Sequence, residues 1–115
     1  MSVTIYHNPR CSKSRQTLEL LRARGIEPEV VEYLQTPPNV KTLTEILEQL
    51  GLEPRDVMRR KEAAYKELDL DNPALSRAAL IKAMVEHPVL IERPIVCARG
   101  RAALGRPPEE VLKIL

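Results

Sequence analysis

The sequence predicts an α/β fold ordered β-α-β, then a block of helices, then β-β-α. Extended apolar runs occur toward the two ends of the 115-residue chain, and the stretch between them repeats apolar residues at helical spacing. A strand-helix-strand unit also fills the first 34 residues. Such a crossover returns the chain to the same end of the sheet, so its two strands pair in parallel.

Val3-Thr4-Ile5-Tyr6 reads as the first strand. Leu18 and Leu21 then mark a helix face that Gly25 stops, and Glu29–Leu34 reads as the second strand. Thr36-Pro37-Pro38-Asn39 breaks regular structure. Leu43, Ile46, Leu47 and Leu50 share one helical face, with Thr42 and Glu45 spaced as a capping box and Gly51 as a stop. Pro54 suits the start of a short helix carrying Val57, Met58, Arg59 and Arg60. Asn72-Pro73 turns the chain into another helix, with Leu80, Ala83 and Met84 facing inward until His87-Pro88. Val89–Ile91 and Pro94–Ala98 read as extended, interrupted at Glu92-Arg93, and Arg99-Gly100 turns the chain into Arg101–Leu104 as an antiparallel hairpin. Pro107-Pro108-Glu109-Glu110 opens a final helix with Val111, Leu112 and Leu115 on its apolar face. This order matches a thioredoxin-like sheet with a helical insertion at roughly residues 40–87, and residues 1–115 read as one domain. In thioredoxin-like folds a cis-proline commonly faces the active cysteine, which makes Arg93-Pro94 the candidate.

Cys11 falls where the first strand hands over to the first helix. Unpaired N–H groups of a helix's first turn act as partial positive charge, and Arg10, Lys13, Arg15 and a protonated His7 would add to it. Such a place favours a nucleophilic thiolate and can hold an oxyanion beside it, with Ser12 and Ser14 as hydroxyl donors. Ser14 also occupies the position where a C-x-x-C motif has its second thiol. Cys97 lies in the apolar run Ile95-Val96-Cys97-Ala98 and reads as a strand residue, so a covalent adduct on Cys11 calls for an outside thiol.

Composition narrows the function classes. A net charge of +2 and only three aromatic residues argue against a nucleic-acid surface built on charge and base stacking. Twelve of the eighteen cations are arginine, the side chain suited to bidentate capture of oxyanions. No long apolar run predicts a membrane span, and two dissimilar cysteines without a leader suggest the cytoplasm. His7 and His87 stand apart, with no Cys/His spacing of a metal site.

The ordered motifs His7-Asn8-Pro9-x-Cys11-x-x-Ser14-Arg15, Tyr33-Leu34-x-Thr36-Pro37-Pro38, Glu92-Arg93-Pro94-Ile95-Val96 and Arg106-Pro107 resemble the ArsC family. They look most like its glutathione- and glutaredoxin-dependent arsenate reductases. The resemblance implies that Cys11 attacks arsenate, that glutathione joins the adduct as co-substrate, and that glutaredoxin completes the reduction to arsenite, with no bound cofactor. It further implies that Arg59, Arg93 and Arg106 bind the oxyanion, while His7, Ser14 and Arg15 support the thiolate and the anion loop. Two alternatives share the fold: a thiol oxidoreductase with another substrate, and an RNA-polymerase-binding redox regulator. The second typically uses a C-x-x-C switch, which Ser14 breaks.

Overall fold

Alternation along Val3–Tyr6 (β1) buries Val3 and Ile5 on one face and half-buries Thr4 and Tyr6 on the other, as the two-residue period of a strand requires. The computed structural model describes residues 2–115. After β1 come helix α1 (Ser12–Ala23) and strand β2 (Glu29–Val31), and β2 pairs with β1 in parallel, Tyr6 opposite Val31. Strand β3 (Ile95–Ala98) runs antiparallel to β1 with Val96 opposite Ile5, and β4 (Arg101–Leu104) returns along β3. The sheet order is β2-β1-β3-β4, the expected thioredoxin-like arrangement. Arg99 (φ 56°) and Gly100 (φ 73°) form the two-residue hairpin loop, whose left-handed backbone matches the twist of the strands.

Residues up to Thr36 together with Arg93–Leu115 form one compact unit, and Pro37–Glu92 form a second. The core of the sheet unit gathers Val3, Ile5, Leu21, Val96, Ala98, Val111 and Ile114. Each large aliphatic side chain fully buried there contributes about 1.5–3 kcal/mol. The C-terminal segment Pro108–Ile114 is a 3₁₀ helix. At three residues per turn, Ile114 lies beneath Val111 and joins the core, while the expected Leu115 packs against it partly buried and the expected Leu112 is only half-buried.

The second strand is shorter than the expected Glu29–Leu34. His7 N–H donates to Val31 O at 2.8 Å, after which β1 has turned away and offers no partner. The chain instead closes a turn, with Gln35 and Thr36 N–H both donating to Glu32 O (2.9 and 3.0 Å). Tyr33 is buried by that turn and Leu34 stays exposed.

In the helical unit, α2 (Val40–Leu50) buries Leu43, Ile46 and Leu47 and packs against α4 (Arg77–Glu86), which buries Leu80, Ile81 and Met84; Ala83 is half-buried. The N-cap of α2 is Asn39, whose Oδ1 accepts Thr42 N–H at 2.8 Å. Thr42 therefore lies inside the helix, and the expected Thr42–Glu45 capping box does not form. Gly51 stops α2 with φ 69°, as expected.

Pro54–Val57 is a 3₁₀ turn that ends before Arg59. Met58 leaves it to pair with Ile91, flanked by Arg59 N–H to Leu90 O (2.7 Å) and Glu92 N–H to Val57 O (2.8 Å). These long-range bonds override the helix expected through Arg60. Val89 and Leu90, expected to be extended together with Ile91, instead lie in another 3₁₀ turn (Pro88–Leu90), and α3 (Ala63–Glu67) is a short helix that apolar periodicity does not signal.

Gly105, just after β4, is buried, and its N–H donates to Pro94 O at 2.9 Å. A Cβ built there would lie 2.6 Å from Thr17 Oγ1 and 2.7 Å from Pro94 Cγ. Thr17 is held by its own bond to Lys13 O, and the proline ring is closed and buried, so neither can give way. Gly105→Ala is expected to cost about 1–3 kcal/mol by overpacking, read from urea unfolding; an unchanged midpoint contradicts this packing.

Candidate active site

The thiol is delivered by a turn whose residues match its conformational demands. Asn8 at the first position and Pro9 at the second suit a β-turn, and Cys11 N–H closes it by donating to Asn8 O at 3.0 Å. Asn8 Oδ1 also accepts Arg10 N–H at 3.0 Å. The turn leaves Cys11 as the N-cap of α1, with extended backbone (φ −94°, ψ 122°) and its carbonyl accepting Arg15 N–H at 3.0 Å. The Cys11 side chain makes no capping bond, and no acidic residue occupies the first turn. The first-turn donors are therefore not neutralised by a local carboxylate, and negative charge is favoured at this end of α1.

Ser14 is fully buried and bonds in two directions: Oγ lies 2.6 Å from His7 Nδ1 and accepts Asn8 N–H at 3.0 Å. It ties the residue after β1, the turn and the first turn of α1 into one body. Arg15 is exposed, and its Nη1 donates to Pro9 O at 2.8 Å, so it braces the same turn from outside. His7 is 6% exposed, and burial lowers its pKa below the usual 6.5, with Arg22 and Arg15 acting in the same direction and Glu32 opposing them. At neutral pH it is an uncharged hydrogen-bonding group. A positive His7 beside the thiol is not what this geometry provides.

Arg93 lies two residues before Ile95, which pairs with both Tyr6 and Leu104, and Arg106 lies two residues after Leu104, so both stand at the end of the sheet from which β1 runs into the thiol turn. Both precede cis-prolines: Arg93-Pro94, the expected candidate, and Arg106-Pro107, which the sequence did not signal. Arg106 Nη1 donates to Arg93 O at 2.9 Å, linking the two loops. Arg93 is half-buried, with Nε and Nη1 shielded from solvent, whereas Arg106 is exposed. Through Gly105, Pro94 is packed on Thr17 of α1. Arg59 belongs to the helical unit, where it pairs with Glu62.

Thr17 and Gly105 escaped sequence reading because their meaning is a close approach between segments far apart in the chain. The glycine directly before Arg106-Pro107 was the one local signal. Cys11 and Cys97 are both free, and burial on β3 pushes the Cys97 thiol up to about 11. A cavity of about 180 Å³ opens beside the thiol turn, walled by residues 7–10 together with Glu32, Leu34 and Gln35. A cavity of about 420 Å³ in the helical unit, around Tyr65 and Asp71, has no cysteine or histidine in its wall.

Sheet order, cis-proline and N-cap thiol together define a thioredoxin-like protein with one cysteine at the reactive position. More narrowly, the chain belongs to the ArsC family, whose sequence profile matches residues 6–114. A relative named "Arsenate reductase" from Neisseria meningitidis serogroup B is 54% identical over 98% of this chain and 97% of its own length. "Uncharacterized protein YfgD" of Escherichia coli strain K12 is 59% identical over 98% and 96%. A solved structure described as "Arsenate reductase from Vibrio cholerae" superimposes with a TM-score of 0.97 at 59% identity, covering 100% of this chain and 98% of that one.

Two outcomes follow from these surroundings. At pH 7 a limiting amount of iodoacetamide is expected to modify Cys11 ahead of Cys97, with Cys97 competing only as pH nears its value of about 11. Peptide mapping reads the ratio, and equal labelling at pH 7 contradicts the assignment. For His7, a folded pKa below 6.5 means the unfolded chain binds more protons in that window, so stability falls as pH drops through it. His7→Asn should flatten that slope as pH falls through and below 6.5 in urea titrations, and a slope left intact assigns it to other groups.

Proposed function

We propose that this protein is an arsenate reductase in which Cys11 is the nucleophile, glutathione supplies the second thiol, and glutaredoxin resolves the resulting mixed disulfide in a reducing cytoplasm. The observation that carries the reading is a free cysteine at an acid-free helix N-cap, with a buried serine, engaged by His7 and Asn8, where a resolving thiol would stand. Relatives named arsenate reductase at 54% identity supply the substrate.

The chemistry balances as follows. The Cys11 thiolate attacks arsenic and one arsenate oxygen leaves as water after protonation. Glutathione then displaces a second oxygen to place two sulfurs on arsenic. Reduction of arsenic by two electrons releases arsenite, and the two sulfurs leave joined as a disulfide that glutaredoxin and further glutathione reduce. The α1 N-terminus stabilises negative charge near the sulfur, and arginines offset repulsion between thiolate and oxyanion. Arg93 and Arg106 are the proposed oxyanion donors of the sheet unit, and the family pattern adds Arg59. Phosphate has nearly the same shape and charge as arsenate, so selectivity rests on the readier reduction of arsenic by thiols.

The test is arsenite release with glutathione, glutaredoxin and an NADPH-regenerating system. Cys11→Ser should abolish turnover, and undiminished turnover in that variant sinks the proposal. Arg59→Ala, Arg93→Ala and Arg106→Ala should each lower kcat/KM for arsenate about 10- to 100-fold, the worth of a hydrogen bond to a charged group.

A further inference from the structure

We propose that the cavity beside the thiol turn seats the α-amino-acid head of the small thiol that resolves the Cys11 adduct. This rests on the arsenate-reducing role proposed above and concerns the second substrate of the same site. Its position is the first argument. Asn8, Pro9 and Arg10 in its wall are the three residues immediately before the nucleophile, and Cys11 N–H is bonded to Asn8 O. A molecule anchored there lies next to the turn that carries the sulfur.

Size is the second. At about 180 Å³ the cavity is smaller than the 300–1,000 Å³ of sites that enclose a whole drug-sized ligand. It suits one end of an extended molecule whose remainder continues over the surface.

Charge is the third. The wall brings together a guanidinium (Arg10), a carboxylate (Glu32) and a carboxamide (Gln35), with Pro9 and Leu34 as its apolar part. Glu32 and Gln35 close a single turn, Gln35 N–H donating to Glu32 O at 2.9 Å, and both line the cavity. A bare oxyanion would be repelled by Glu32. A zwitterion is matched: carboxylate to Arg10, ammonium to Glu32, and an amide beyond them to Gln35. The γ-glutamyl end of glutathione carries those groups in that order. His7, buried and uncharged in the same wall, does not disturb the balance.

Preorganisation is the fourth. The floor is fixed by Asn8 Oδ1 on Arg10 N–H, by Ser14 on Asn8 N–H and by Arg15 on Pro9 O. Binding therefore does not have to order the backbone, only the exposed Arg10, Glu32 and Gln35 side chains.

S-methylglutathione, which has no free thiol, separates binding from turnover. Titrated into the ¹⁵N-labelled full chain, it should shift the amides of residues 7–11 and 32–35, with Kd weakened about fivefold in Glu32→Gln, the upper worth of an exposed ion pair. In the coupled assay the same variant should raise KM for glutathione by that factor and leave KM for arsenate in place. Shifts confined elsewhere, no binding, or equal affinity in Glu32→Gln overturn the subsite. Failure of the wild-type chain to release arsenite overturns the reaction instead, and leaves the titration readable on its own terms.

Discussion

One buried hydroxyl holds the thiol in place. Ser14 Oγ has one proton and two lone pairs, and in a position without solvent it serves both His7 Nδ1 and Asn8 N–H. Those two groups belong to the end of β1 and to the turn, while Ser14 itself belongs to α1. The bond pair thus sets where the helix begins relative to the sheet, and so where its N-terminal field points. It also gives a physical reason for serine at this place: a cysteine sulfur is larger and a weaker hydrogen-bonding group, and would support the same pair of partners poorly. The oxygen that holds the loop and the sulfur that would form an internal disulfide compete for one position.

The partial positive charge at the α1 N-terminus does not vary with pH around neutrality: burial holds the His7 pKa below its usual value, and the backbone donors do not titrate. Arg106 gives one donor to Arg93 O, which links the two proline-bearing loops as one rim. Within the helical unit, Arg59 has Glu62 as its ion-pair partner.

Much of this arrangement was legible in the sequence because it depends on neighbours in the chain. Val3–Tyr6, the Gly51 stop and the Arg99-Gly100 hairpin are set by period or local backbone chemistry, and the element order carried the topology. Cys11 was legible at the start of α1 because the strand Val3–Tyr6 precedes it and Leu18 and Leu21 follow at helical spacing. What was not legible depends on distant partners. Glu32–Thr36 leaves the strand because β1 ends at Tyr6 and His7 N–H makes the last bond to Val31 O, and Arg59 leaves its helix because Met58 finds Ile91. Ile114 joins Val111 in the core because a 3₁₀ helix has a three-residue period, and Leu115 packs against them only partly buried. The bonding of Ser14 to His7 and the approach of Gly105 to Thr17 are contacts that propensity does not encode.

The sheet unit is assembled from the two ends of the chain, with β1 between β2 and β3. During synthesis, therefore, the thiol turn is made early but its strand lacks one neighbour until Ile95–Ala98 has emerged, and the core lacks Val111 and Ile114 until the last residues follow. Pairing across so long a sequence separation slows closure of the sheet. The cysteine-bearing turn is therefore translated before the strands and core residues that complete the framework around it.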